Sequence, residues 1–120
     1  MVKEQDEEEN TKKKVDITTE VEEMSLEGGA SLSMKVFTEF MGSAALMLSV
    51  LASGGNFLVV ALTLAIIMFL LGGISGCAVN PAIAAGLWYS GSLNAIMFFA
   101  YATAEILGAL AAVYAYKIVS

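Results

Sequence analysis

The sequence predicts an all-α membrane protein: three transmembrane helices plus one re-entrant half-helix. Three observations predict it. Charge is segregated: ten of the twelve acidic residues lie in residues 1–27, and five of the six lysines in residues 1–35. Between Val36 and Tyr116 the only charged side chains are Glu39 and Glu105. Hydrophobic residues make up 58% of the 120, well above the globular norm of about half. A stretch that long with two charges suits hydrocarbon rather than water. The apolar run is interrupted at Gly72–Trp88, which holds four glycines and the chain's only proline. Those residues disfavour a continuous helix.

Residues 1–33 read as a disordered, charged N-terminal tail. Glu7-Glu8-Glu9 precedes Lys12-Lys13-Lys14, and Glu20, Glu22, Glu23 and Glu27 follow. Dense charge with no periodic apolar face argues against a packed core, and the acids offset whatever the lysine triplet would offer to lipid headgroups. The formal net charge of −6 belongs to this tail. Nothing at the N-terminus reads as a cleavable leader.

The membrane part is residues 34–120. A first helix runs over about 34–53, from Lys35, which can snorkel to the interface, to the turn Ser53-Gly54-Gly55-Asn56. Glu39, Gly42, Ser49 and Ser53 share a stripe of this helix that faces other helices. A second helix covers about 57–73. After the interruption and the turn Ser90-Gly91-Ser92-Leu93-Asn94, a third helix covers about 95–118. Its Ala100, Ala104, Gly108 and Ala112 recur every four residues, a ladder of small side chains that permits close helix approach. The lysines near the spans place the N-terminus in the cytoplasm and the C-terminus outside.

The interruption itself has a local grammar. Asn80 is a good N-cap, and Pro81 suits the first helical position. Residues 81–89 then make a half-helix of roughly 13 Å, too short to cross a bilayer of ~30 Å. Non-helical backbone at that depth survives only where protein buries it or water lines it. A helix N-terminus presents about half a positive charge and free N–H donors. It repels cations and orients a neutral solute. Carbonyls of Gly76, Cys77, Ala78 and Val79 would supply acceptors, and Asn80 a donor. That set suits water and small polyols rather than ions.

These residues carry a resemblance. Ser75-Gly76-Cys77-Ala78-Val79-Asn80-Pro81-Ala82 resembles the Ser-Gly-x-x-x-Asn-Pro-Ala signature of the aquaporin (major intrinsic protein) family. Glu39-Phe40-Met41-Gly42-Ser43 is similar to that family's first-helix Glu-Phe-x-Gly-Thr, and Glu105-Ile106-Leu107-Gly108-Ala109 to its third-helix Gln-x-x-Gly-Ala. The resemblance covers about residues 34–118 and implies an aquaporin-like half-repeat, one of two that meet at mid-membrane. It implies that Asn80, Pro81 and Ala82 line a pore with the 76–79 loop, and that Glu39 holds the loop backbone without touching solute. Glu105 stands where the family usually has Gln, and a neutral acid is the closest mimic. Alignment on Asn80 places a selectivity position at Val60, where many members carry a bulky aromatic. Cys77 either faces the lumen or fills a small buried space.

The 120 residues hold one Asn-Pro-Ala and lack the filter arginine that follows the family's second one. The expected function is therefore a passive channel for water or small neutral solutes such as glycerol, formed with a second half-repeat or with like protomers in a homo-oligomer. The alternative is a truncated, non-conducting relative that binds full-length channels and modulates them. No enzyme is expected: there is no histidine, and Cys77 has no base beside it. No cofactor, metal or nucleic-acid partner is expected; the partners are the lipid bilayer and the solute.

Overall fold

The computed structural model describes residues 2–26 and 29–120, with side chains described for residues 2–16 and 29–120. Every regular element among them is a helix: α1 (Val2–Leu26), α2 (Leu32–Ser53), α3 (Phe57–Ser75), α4 (Pro81–Tyr89) and α5 (Ala95–Val119). They divide into two units, residues 1–32 and 33–120.

The first unit, whose composition leads one to expect a disordered tail, holds one helix, α1. The described side chains of α1, residues 2–16, are all exposed. Local pairs support that helix. Glu8 meets Lys12 at 3.3 Å and Glu9 meets Lys13 at 3.0 Å, both at i,i+4 spacing. Each such pair supports a helix by about 0.3–0.5 kcal/mol. Residues 1, 27 and 28, which the same expectation covers, lie outside the described residues.

In the second unit, α2, α3 and α5 are each long and apolar enough to cross a membrane. Their ends are set by short polar signals. Asn56 caps α3, its side-chain oxygen accepting from Leu58 N (3.0 Å) and Val59 N (3.3 Å). Asn94 caps α5 through Met97 N (2.9 Å). The α3 helix continues through Gly72-Gly73 to Ser75. It stops where Gly76 adopts the left-handed conformation (φ 84°) and its N–H reaches back to Gly72 O, a conformation only glycine takes without steric cost.

Two close approaches fix the layout. A Cβ on Gly108 of α5 would collide with the backbone of Phe40 on α2. One on Gly42 of α2 would sit 2.6 Å from Val79 Cγ1 and 3.3 Å from Ile67 Cγ2. Both glycines belong to the Glu-x-x-Gly motifs, so the motif spacing brings α2 against α5 on one side and against the interrupted loop on the other. Ala104, Gly108 and Ala112 are buried and Ala100 is half-buried. The short α4 packs on α5, with Trp88 stacked on Phe98 at a 4.9 Å centroid separation and 8° between planes.

Candidate functional site: the loop before α4

The loop 76–80 joins α3 to α4 in a conformation that sterics alone would reject. Cys77 (φ 53°) and the β-branched Val79 (φ 44°) both sit in the left-handed region, a strained setting for such side chains that persists only where its surroundings dictate it. Those surroundings are a set of buried polar contacts. Glu39, with no exposed surface, accepts from Ser75 Oγ (2.7 Å) and Ala78 N (3.0 Å) through Oε1, and from Val79 N (2.6 Å) through Oε2. Ser75 Oγ also accepts from Cys77 N (3.1 Å). Ser43 Oγ donates to Val79 O (3.1 Å) and the Tyr101 hydroxyl to Ser75 O (2.7 Å). Three helices thus hold the loop: α2 by Glu39 and Ser43, α3 by Ser75, α5 by Tyr101. A hydrogen bond is worth about 0.5–1.5 kcal/mol net, so the contacts around the loop together offset strain of about 1–3 kcal/mol per residue.

The loop feeds α4 as its sequence dictates. Asn80 is extended (φ −156°), its Oδ1 accepts from Ala82 N (2.8 Å), and Pro81 opens the helix. Nine residues at 1.5 Å each give roughly 13 Å of helix.

The structure separates the candidate residues into three groups. Asn80, Pro81 and Val79 line a groove of about 360 Å³ with Ser43 and Met47 of α2 and Glu105 and Ala109 of α5. Asn80 and Ala82 are exposed and Pro81 half-buried. Cys77 and Ala78 instead turn their side chains inward. Cys77, 4% exposed, packs with Ile67 and Val79, and Ala78 packs with Ala84, Leu93 and Tyr101. Of the two placements the sequence allows Cys77, this is the buried one, and Cys77 is not part of the groove lining. The exposed Gly76 and the half-buried Val60, in the first turn of α3, stand outside the groove lining. Tyr101 is a structural contributor that motif reading alone does not single out, whereas Ser43 is the last residue of the first-helix motif. Tyr101 is an interior aromatic in a run of apolar residues, and its signal would have been a hydroxyl on the buried face of α5.

A larger hollow of about 780 Å³, edged by Phe37, Phe40, Phe99 and Leu107, is nearly all hydrocarbon. The hydroxyl of Thr103 on its rim bonds back to Phe99 O at 2.7 Å, so nothing converges there to orient a polar solute. The groove at Asn80 combines apolar walls with a capped helix N-terminus, the pattern expected of a site for a small uncharged ligand.

A family model described as Major intrinsic protein matches residues 54–120, from the α2–α3 turn through the loop and α4 to the end of α5. No solved structure matches the chain.

Proposed function

Because this chain belongs to the major intrinsic protein family, a family of membrane channels for water and small solutes, we propose that it supplies one half of such a channel. The groove at Asn80 would be one wall of the pore, and a second half-repeat the opposite wall, another copy of the chain being its simplest source. The supporting observation is the loop 76–80, left-handed at two non-glycine residues and held by Glu39, ending on the exposed, helix-capping Asn80. Such effort to fix backbone in a setting where helix is the easy solution fits a surface that meets solute.

In this reading Asn80 and the α4 N-terminus orient a neutral molecule by its oxygen and repel cations. Pro81 and Ala82 shape the same end of α4, and the backbone of Gly76, Cys77 and Ala78 supplies acceptors. Val60 would act at a constriction formed only when the second half is in place, and its size would admit solutes larger than water. Glu39 supports the loop without touching solute. Ala100, Ala104, Gly108 and Ala112 are the packing seam. The N-terminus would lie in the cytoplasm.

Osmotic shrinkage of vesicles holding only this chain tests the reading. Faster shrinkage than in protein-free vesicles is expected, with glycerol entering as well. Permeability equal to bare lipid would favour the other reading, a truncated non-conducting relative that binds and modulates full-length channels.

A further inference from the structure

The groove at Asn80 holds a polar group that the channel reading leaves unused. Glu105 of α5 lines it beside Asn80 and Pro81. Glu105 is 1% exposed, and among the described residues neither of its carboxyl oxygens has a hydrogen-bond partner. The rest of the lining does not supply one. The Ser43 hydroxyl donates to Val79 O, and apart from Asn80 the other lining side chains are hydrocarbon or thioether. Asn80 is the complement. Its Oδ1 accepts from Ala82 N at 2.8 Å, which leaves the two N–H groups of its side-chain amide as donors, on a residue that is exposed.

A buried polar group without a partner is rare, because it loses its hydration and gains nothing in return. A molecule in the groove can restore the balance if it carries a donor and fits a space of about 360 Å³. A carboxyl accepts through at least one oxygen in either protonation state, so the requirement is independent of its charge. A solute with one polar group satisfies Asn80 or Glu105 but leaves the other as it was. A solute with hydroxyls on a short carbon chain satisfies both, and lays its carbons against Leu46, Met47 and Ile106 of the same lining. Resting on the reading of this groove as a solute-facing wall, we propose that Glu105 is its second polar contact, accepting from a hydroxyl of a small polyol whose other oxygen is held at Asn80. The carboxyl oxygens are closed to solvent, so the side chain turns about its flexible bonds to meet the hydroxyl. Glu105 is then a specificity residue. A site built to bond a hydroxyl disfavours the analogue without one, which leaves the buried group unpaired.

Infrared difference spectra of the full chain in lipid vesicles, recorded with and without glycerol, test this contact whether or not the vesicles conduct. A dextran at equal hydroxyl concentration is the blank: it meets the exposed carboxyls of α1 but is too large for the groove. Expected is a shift in a carboxyl band that glycerol produces and dextran does not. The shift should be lost in Glu105→Gln, which removes that carboxyl. It should also be lost in Ala109→Phe, which fills the groove from its α5 wall and leaves Glu105 in place. A wild-type spectrum without a glycerol-specific shift, or a shift that survives either variant, overturns the role of Glu105. Should Glu105→Gln fail to assemble, Ala109→Phe decides. Vesicles that show the shift yet conduct nothing leave the contact standing and sink the pore reading; vesicles that conduct without it sink the contact alone.

Discussion

The helices α3 and α5 both suit a bilayer by length and composition, yet they do different work. The more apolar one packs less: α3, with a mean hydropathy of 2.8, buries two of its 19 residues, and α5, with a mean hydropathy of 1.8, buries five of its 25. The buried residues of α3 are Ile67 and Ser75, whereas α5 buries Tyr101, Ala104, Glu105, Gly108 and Ala112. The difference follows from the solvent. Lipid is as apolar as leucine, so hydrophobicity keeps a helix in the bilayer but gives it no reason to touch another. Contact comes from small residues that let backbones approach and from polar groups that need partners. The α5 helix buries both, whereas the small residues of α3, Ala61, Ala65, Gly72 and Gly73, stay unburied and its one buried polar group is Ser75 at its end.

That comparison can be broken at defined points. The largest effect is expected at Glu39. Glu39→Ala strands Ser75 Oγ, Ala78 N and Val79 N, each at about 1–3 kcal/mol for a buried unsatisfied donor. The left-handed loop should open, and maleimide labelling of Cys77 should become rapid. Labelling as slow as wild type would mean that the loop holds itself. Next comes Gly108→Ala, whose new methyl meets the Phe40 backbone rather than a movable side chain. Overpacking of this kind costs about 1–3 kcal/mol, read as a lower thermal midpoint in detergent. Gly42→Ala presses on Val79 and Ile67 side chains and should cost less. Tyr101→Phe keeps the ring and removes one hydrogen bond to Ser75 O, worth about 1 kcal/mol. At the small end stands Phe69→Leu on α3, 87% exposed, expected to shift the midpoint by no more than about 0.5 kcal/mol equivalent. A large loss there would show that α3 packs on something beyond this half.

The sequence makes the helices and the start of α4 legible because those signals are local. Asn80 and Pro81 are a cap and a first-turn proline wherever they occur, and a run free of charge declares its solvent. A buried acid at Glu39 also announces a need for donors. Which donors it finds is not local: Ala78 and Val79 lie 39 and 40 residues away. The same holds for Ser43 on Val79 and Tyr101 on Ser75, 36 and 26 residues apart. The left-handed Cys77 and Val79 are illegible for the same reason, since propensity argues against them and only the tertiary network imposes them. The inward turn of Cys77 follows from that backbone. For α1 composition and spacing point different ways: dense charge argues against packing, while Glu8–Lys12 and Glu9–Lys13 at i,i+4 support a helix.

The most direct test compares wild type with Asn80→Leu for osmotic water permeability in vesicles at equal protein content, with assembly state checked in parallel. If the groove at Asn80 is a pore wall, the variant assembles as wild type does and its permeability falls to that of bare lipid. Permeability that exceeds bare lipid in wild type and is unchanged in Asn80→Leu would contradict it, placing the water path away from the loop that α2 and α5 hold so firmly.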